Sequence, residues 1–590
     1  TLRVSMEHVN HLYSNLVEAY DARDPSLLPW WVNMSIGMIF ATITCYFVID
    51  HRLRGALWWR LYQGFFKVAE EIPIYVKGRI QEELTKAKNE IRKTVHDEDT
   101  PEGWTLAIPE KGMRPDEILA KQITYSTKQA NGQVDIKKPD YLNGEVSGAV
   151  FNTERSEEEI DLIKEMFGRL AFSNPLWPKI FPDIRKMEAE VVAMTIELLH
   201  GDKNACGTMT AGGSMSILQA VIACRNKAWD SGVNWPEMIL PSSAHAAFFK
   251  AAEMFRVKLV VINVEDTNFV VDPKRVRRAI NSSTCLIVAS VPNYPYGTVD
   301  DVEALGKIGL KYNVPVHVDA CCGGFLVPFF DQDDVPAFDF RVPGVTSISA
   351  DTHKYGLAPK GSSVIVYANE ELRNYGFYAN VDWCGGIYAS PTLEGSRNGS
   401  AIACTWASLL YNGKDKLKES AAVVRSVTRE LRDKLARVEG VELMGQPDVC
   451  IVAWRSTIKE VSDYKTMDLI EKDAGITLSP LQYPVGVHLM VTPLHGVPGF
   501  VDKLITSLKK SIAILKADPS MKTEGAAAMY GMTIQVPDRR LVAGIAGMYL
   551  SELYNLPVPI DNNEKMMKET KKKDENANET KKTLLCTDDN

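Results

Sequence analysis

No two of the ten cysteines in this 590-residue chain form a Cys-x-x-Cys pair. They are scattered at Cys45, Cys206, Cys224, Cys285, Cys321, Cys322, Cys384, Cys404, Cys450 and Cys586, and none clusters with histidine at zinc-ligand spacing, so no metal site is expected. A disulfide framework does not suit a chain this long, and the thiols read as small, reduced core residues. Excess positive charge is missing too. The 67 Lys and Arg stand against 75 Asp and Glu, a formal net charge of -8, which argues against a nucleic-acid partner. Low-complexity runs and fixed-period repeats are absent. What is present is a globular composition, 45% hydrophobic and 24% charged, on a length that suggests about three to four modules.

Long uncharged apolar stretches are scarce, with one exception. From Pro25 to Ile49 no side chain is charged, and residues 30–49 are mostly apolar. About twenty such residues in a helix cross a hydrocarbon core of about 30 Å. Trp30, Trp31 and Tyr46 sit near its ends, where amphipathic aromatics favour the interface. A cleaved signal peptide fits poorly, because Glu18, Asp21 and Asp24 precede the stretch and no small-residue cleavage site follows. A buried core helix is the other reading; a membrane span is expected. Arg52, Arg54, Arg60 and Lys67 follow it, so the N-terminal segment 1–29 is expected in a lumen and the body in the cytosol. The glycosylation sequons at Asn281 and Asn398 would then stay unmodified.

Residues 50–139 read as a linker and helical segment, basic and amphipathic over its first half. Residues 561–590, rich in Lys, Glu, Asn and Asp, bury too little apolar surface to order and read as a disordered tail. Between them, helical and strand-like segments alternate. Short apolar runs at Met238–Leu240, Lys258–Val264, Cys285–Val291, Val314–Val318, Val345–Ser349 and Ser363–Tyr367 are separated by helical stretches at Ser214–Asp230, His245–Phe255, Pro273–Ile280 and Val302–Tyr312. The expected fold class is α/β, a mostly parallel sheet over 140–412, followed by a smaller α+β domain over 413–560 that opens with the helix Lys414–Val438.

Ligands of such sheets bind beyond the carboxyl ends of the strands. His245 follows the first of these runs, Asp319 the fourth and Lys354 the fifth. Pyridoxal phosphate asks a protein for a Schiff-base lysine, an acid on the pyridine nitrogen, a ring-stacking group and a phosphate cradle. Lys354, flanked by His353 and Tyr355, can supply the first, Asp319 the second and His245 the third. Ala320 is small enough to let the ring approach. Thr210-Ala211-Gly212-Gly213-Ser214, ahead of a helix, can cradle a phosphate on its amides.

The order Gly213-Ser214, His245, His317-Val318-Asp319-Ala320 and Asp351-Thr352-His353-Lys354 resembles fold-type-I pyridoxal phosphate enzymes of the group II decarboxylase branch. Within that branch it is most similar to the sphingosine-1-phosphate lyases. Gly144–Val150, Asn174-Pro175-Leu176, Phe181-Pro182, Arg185–Glu188, Asp339–Thr346, Ala358–Ser363, Gly385–Tyr388, Gly395–Arg397 and Tyr530-Gly531-Met532 carry the likeness over roughly 140–550. The resemblance implies cleavage of the C2–C3 bond of a phosphorylated long-chain sphingoid base to a long-chain aldehyde and phosphoethanolamine. Lys354 and His353 are then the two candidate proton carriers, between which the sequence does not choose, and Lys360 is the candidate for the substrate phosphate. It also implies a homodimer in the endoplasmic reticulum membrane, single-pass, with the catalytic domain facing the cytosol.

Five positions depart from the family pattern. Phe151 and Trp177 stand where tyrosine and histidine are usual near the substrate phosphate. Ser214-Met215 replaces Thr-Glu, and Tyr296 replaces a histidine. The sequence therefore reads as a divergent member. Its alternatives are an amino-acid decarboxylase of the same fold, or a catalytically impaired paralogue acting as a pyridoxal phosphate-binding membrane protein.

Overall fold

The computed structural model describes residues 108–126, 143–152, 156–331, 335–521 and 539–554. The expected membrane span 30–49, the tail 561–590 and the Tyr530–Met532 motif lie outside them. Among the described residues no helix is long and apolar enough to cross a membrane. The chain divides into two compact units, Arg114–Asp538 and the segments on either side of it. Of the latter, the described part is 108–113 and helix α12 (Arg539–Tyr554).

Unit Arg114–Asp538 is built on seven strands: β1 (Cys206–Thr210), β2 (Glu237–Pro241), β3 (Lys258–Ile262), β4 (Thr284–Ser290), β5 (Val316–Asp319), β6 (Val345–Ala350) and β7 (Ser363–Tyr367). Their order is β1-β7-β6-β5-β4-β2-β3, and β7 alone runs against the rest. A parallel return needs a crossover, usually helical. Between β6 and β7 the chain makes only turns, so β7 comes back antiparallel.

Both faces of the sheet are covered, which is why its strands read as unbroken apolar runs. Successive side chains alternate between two cores. Met238, Leu240, Leu286 and Val288 pack with helices α4 (Gly213–Asp230) and α5 (Ala246–Phe255). Ile239, Ile287, Ala289, Val316, Val318 and Ile348 face the opposite core, shared with α3 (Pro182–Leu198), α6 (Pro273–Ala279) and α7 (Val302–Tyr312). Each fully buried side chain of this size stabilises the fold by about 1.5–3 kcal/mol.

The short helix α1 (Pro115–Ser126) precedes this body, and α2 (Glu157–Leu170) packs on α9 (Gly399–Leu435). Helix α8 (Glu370–Asn374) follows β7, and β8 (Tyr378–Asn380) pairs with β9 (Tyr388–Ser390) in a hairpin. A second sheet, β10 (Val441–Leu443), β11 (Ile451–Ser456), β12 (Ser479–Leu481) and β13 (Gly486–Met490), is antiparallel in the order β10-β11-β13-β12. Helices α10 (Asp463–Ala474) and α11 (Phe500–Ala517) pack on each other beside it.

Helix α9 crosses the expected border at 412/413, and its only non-helical residue is Gly413, at φ 60° and ψ -178°. Residues 144–148 join the second sheet. Val146 bridges Thr477, Thr477 N–H donates to Glu145 O at 2.9 Å, and Met490 N–H donates to Ser147 Oγ at 2.9 Å. Both sheets therefore lie in one compact unit.

Candidate active site

Strands β1, β2, β5 and β6 are mutually parallel, so the residues after them share one edge of the sheet. This edge carries Gly212–Ser214, His245, Asp319 and Lys354. After β6 the chain folds into tight turns: Lys354 N–H donates to Asp351 O at 3.3 Å, Leu357 N–H to Lys354 O at 3.1 Å, and Ala358 N–H to Thr352 O at 3.1 Å. The turns bring Lys354 Nζ to 3.1 Å from Asp351 Oδ2 and 3.4 Å from Cys322 Sγ. Burial opposes the charge on Lys354. Cys322, Asp351, Cys321 and Asp319 outweigh it and hold the pKa well above the usual lysine value.

His353 Nδ1 donates to Ser362 O, which fixes the proton on that nitrogen and leaves Nε2, 3.8 Å from Asp351 Oδ2, with the lone pair. Burial, the largest influence, lowers its pKa, so the ring is neutral. Asp319 is buried at the tip of β5. Its Oδ1 accepts from Cys321 N–H at 3.1 Å and from Ser349 Oγ at 3.4 Å. Ser349 in turn lies 3.3 Å from Nε2 of His317, whose pKa burial pushes down to about 4. A neutral, hydrogen-bonded pair thus stands behind the carboxylate. His245 caps α5 by accepting from Ala247 N–H on Nδ1 at 3.1 Å, and its ring meets Tyr294 edge-on at 6.2 Å.

The Gly212–Ser214 turn is laced to the sheet through Thr210–Ser216 (2.8 Å), Ser216–Ser363 (2.9 Å) and Ser363–Ala350 O (3.1 Å). No side chain caps α4. A Cβ at Gly213 would lie 2.7 Å from both Asp351 oxygens and 2.8 Å from Cys321 Sγ, so the close approach requires glycine. Ala320 is fully buried, and Ser214 is exposed at the first turn of α4.

A second group of residues gathers against the same loop. Phe151 is 3% exposed and meets Tyr355 edge to face at 5.1 Å. Lys360 Nζ sits over the Phe151 ring, 4.8 Å from its centroid. Trp177 stands apart: it lies in the turn before α3, 59% exposed, with no hydrogen bond, ion pair or ring contact to these residues. Tyr296 is also elsewhere, buried against Phe269 with its hydroxyl donating to Tyr483 O at 2.9 Å.

A pyridoxal-dependent decarboxylase conserved domain matches residues 150–457. The sphingosine-1-phosphate lyase of Drosophila melanogaster is 38% identical over 84% of this chain and 88% of its own length. Sphingosine-1-phosphate lyase 1 of Rattus norvegicus is 35% identical over 92% and 94%. The chain belongs to the sphingosine-1-phosphate lyase family. The solved sphingosine-1-phosphate lyase of Burkholderia pseudomallei, 31% identical, superposes with a TM-score of 0.67 over 77% of this chain and 98% of its own. A Lactobacillus brevis glutamate decarboxylase, 19% identical with a TM-score of 0.59, shares the fold alone.

The residues of this lyase-family site fit pyridoxal phosphate, its cofactor. Asp319 Oδ2 makes no hydrogen bond among the described residues, and Asp351 Oδ1 is a buried oxygen without a partner. The uncapped amides opening α4 suit a phosphate. Among the described residues no group of His, Cys, Asp and Glu is arranged to hold a metal.

Several site residues were not singled out from sequence. Asp351 and Cys322 surround Lys354, and Ser349 orients Asp319; only the Asp351-x-x-Lys354 spacing hinted at the first. Other family motifs resolve into scaffolding. Glu188 takes a two-pronged ion pair from Arg397 at 2.5 and 2.9 Å and accepts from Met209 N–H at 3.2 Å. Asp339 receives Arg341 and His200.

Proposed function

We propose that the Lys354 site holds pyridoxal phosphate and cleaves the C2–C3 bond of a phosphorylated long-chain sphingoid base, giving a long-chain aldehyde and phosphoethanolamine. The observation that carries this is the convergence of Lys354, Asp319, His245 and the Gly212–Ser214 turn at one sheet edge, in a chain whose curated relatives are sphingosine-1-phosphate lyases over nearly their whole length. Bound pyridoxal phosphate supplies an electron sink for the pair left when the bond breaks.

The protein's own groups do the rest. Lys354 would be the attachment point for the cofactor, and its amine, held at Asp351, a proton carrier. Asp319, fixed through Oδ1, would offer Oδ2 to the pyridine nitrogen, and His245 would be the stacking group. Gly213, Ser214 and the first amides of α4 would hold the cofactor phosphate, and Ala320 would leave room for the ring. His353 Nε2, neutral and with its lone pair available, would accept the proton of the C3 hydroxyl or return one to C2. Lys360 takes the phosphate of the substrate.

Trp177 and the exposed Trp383 and Ile387 support a homodimer whose second subunit covers these faces. The uncharged stretch 30–49 supports a single-pass anchor in the endoplasmic reticulum membrane with the catalytic body cytosolic. Borohydride reduction with peptide mapping, run beside an assay for phosphoethanolamine, tests the core of the proposal. A pyridoxyl adduct away from Lys354 overturns the site, and carbon dioxide from amino acids with no aldehyde from sphingoid phosphates overturns the reaction.

A further inference from the structure

Lys360 lacks what most lysines near a buried carboxylate have. Among the described residues it forms no ion pair; its ammonium rests on a phenyl face instead. Both partners in this contact are held in place from behind. The turn Pro359–Ser362 is tied down by Ser362 Oγ donating to Pro359 O (3.2 Å), Thr352 Oγ1 donating to Ser362 Oγ (2.7 Å) and His353 donating to Ser362 O. Gly361 turns the chain at φ +92°. On the other side, Asn152 Nδ2 donates to Leu357 O at 3.0 Å and to Glu159 Oε1 at 2.9 Å, fixing the backbone next to Phe151. Tyr355 braces the ring edge and is itself anchored, its hydroxyl donating to Val491 O at 2.6 Å. Leu357, between the two lysines' turns, is held at φ +58°, a conformation that a bulky residue keeps only when its surroundings impose it.

An aromatic face attracts a cation without neutralising it. A carboxylate in the same place would hold Lys360 more firmly but cancel its charge towards an incoming phosphate. We infer that Phe151 is a positioning residue for Lys360, its buried ring face holding the ammonium where the substrate phosphate is taken. The inference rests on the assignment of Lys360 to that phosphate. It changes the meaning of the missing hydroxyl: in its place stands a ring that aims a cation at the phosphate.

The test uses full-length enzyme loaded with pyridoxal phosphate, with inorganic phosphate as the probe, its dissociation constant read by calorimetry, beside KM and kcat for a phosphorylated sphingoid base. Phe151→Leu fills most of the space without a π face. It is expected to weaken phosphate binding and raise KM by about 2- to 30-fold, the span of cation–π contacts from exposed to desolvated settings, with a smaller change in kcat. Phe151→Tyr, which keeps the face, is expected to retain phosphate binding. In a Lys360→Met background, Phe151→Leu is expected to add nothing. Equal effects of Phe151→Leu in both backgrounds, or a loss confined to kcat, overturn the inference while leaving the reaction intact. If Lys360→Met alone leaves phosphate binding unchanged, the assignment of Lys360 fails and the inference falls with it. Phe151→Met repeats the comparison should leucine disturb the fold.

Discussion

Lys354 and Lys360 stand six residues apart on one loop, in opposite surroundings. Lys354 is enclosed by Asp351, Asp319 and two thiols, which hold its charge. Lys360 is exposed as a whole, but its ammonium end rests on a hydrocarbon ring, and the partial enclosure of that end, with Lys354 nearby, lowers its pKa. The first environment suits a lysine that must be kept in place until a cofactor claims it. The second suits one whose charge must stay available. Spacing and residue type are alike at both positions; the neighbours decide what each does.

The sharpest way to break the contrast is Lys354→Ala, expected to cut kcat by at least about 1,000-fold and to abolish the pyridoxyl adduct on reduction. Activity within tenfold of the parent would remove Lys354 from the chemistry. Next comes Asp319→Asn, which keeps the shape but not the charge. A fall in kcat of about 100- to 1,000-fold is expected with KM little changed, and an unchanged kcat would leave the carboxylate a purely structural role.

Asp351→Asn probes the enclosure of Lys354 directly. Removing an anion that favours the ammonium lowers the lysine pKa, so the pH at which pyridoxal phosphate half-reacts with Lys354 should move down by about 1–3 units. A shift upward, or none, would show that Asp351 does not set that charge.

The smallest effect leaves both lysines charged and loads the rest of the fold. His317, His488 and His495 are buried, with pKa values pushed down to about 4 by burial. Folded values below the unfolded one near 6.5 mean that their contribution is complete above about pH 6.5 and is lost as pH falls towards 4. Each should cost on the order of 2 kcal/mol of stability at pH 5. Thermal melts from pH 7 to 5 measure the sum, and a His317→Gln variant that melts with the same pH slope as the parent would exclude that residue.

Much of the sheet was legible because strands buried on both faces read as continuous apolar runs; β2 to β7 lie within about two residues of the expected segments. Strand β1, Cys206-Gly-Thr-Met-Thr, was not, since only Met209 is large and apolar. The reversal of β7 was also hidden, because Ser363–Tyr367 looks the same in either direction. Chemistry at strand ends could be read from the order of Asp319 and Lys354. Contacts made across the chain could not. Phe151 announced a missing hydroxyl, while its hold on Lys360, more than two hundred residues away, exists only in the folded chain.

Gly413 closes the account of how the two sheets are joined. Space does not require glycine there, since a Cβ would have no atom within 4 Å; the dihedral angles do. The join between the cofactor-binding sheet and the second sheet is thus a kink between two helical segments, with Leu410, Tyr411, Lys414 and Asp415 exposed around it. Residues 147–152 tie the two sheets a second time, Ser147 accepting from Met490 N–H in the second sheet and Asn152 donating to Leu357 O on the lysine loop. The two sheets should therefore behave as one cooperative unit, with the catalytic edge inheriting the stability of both.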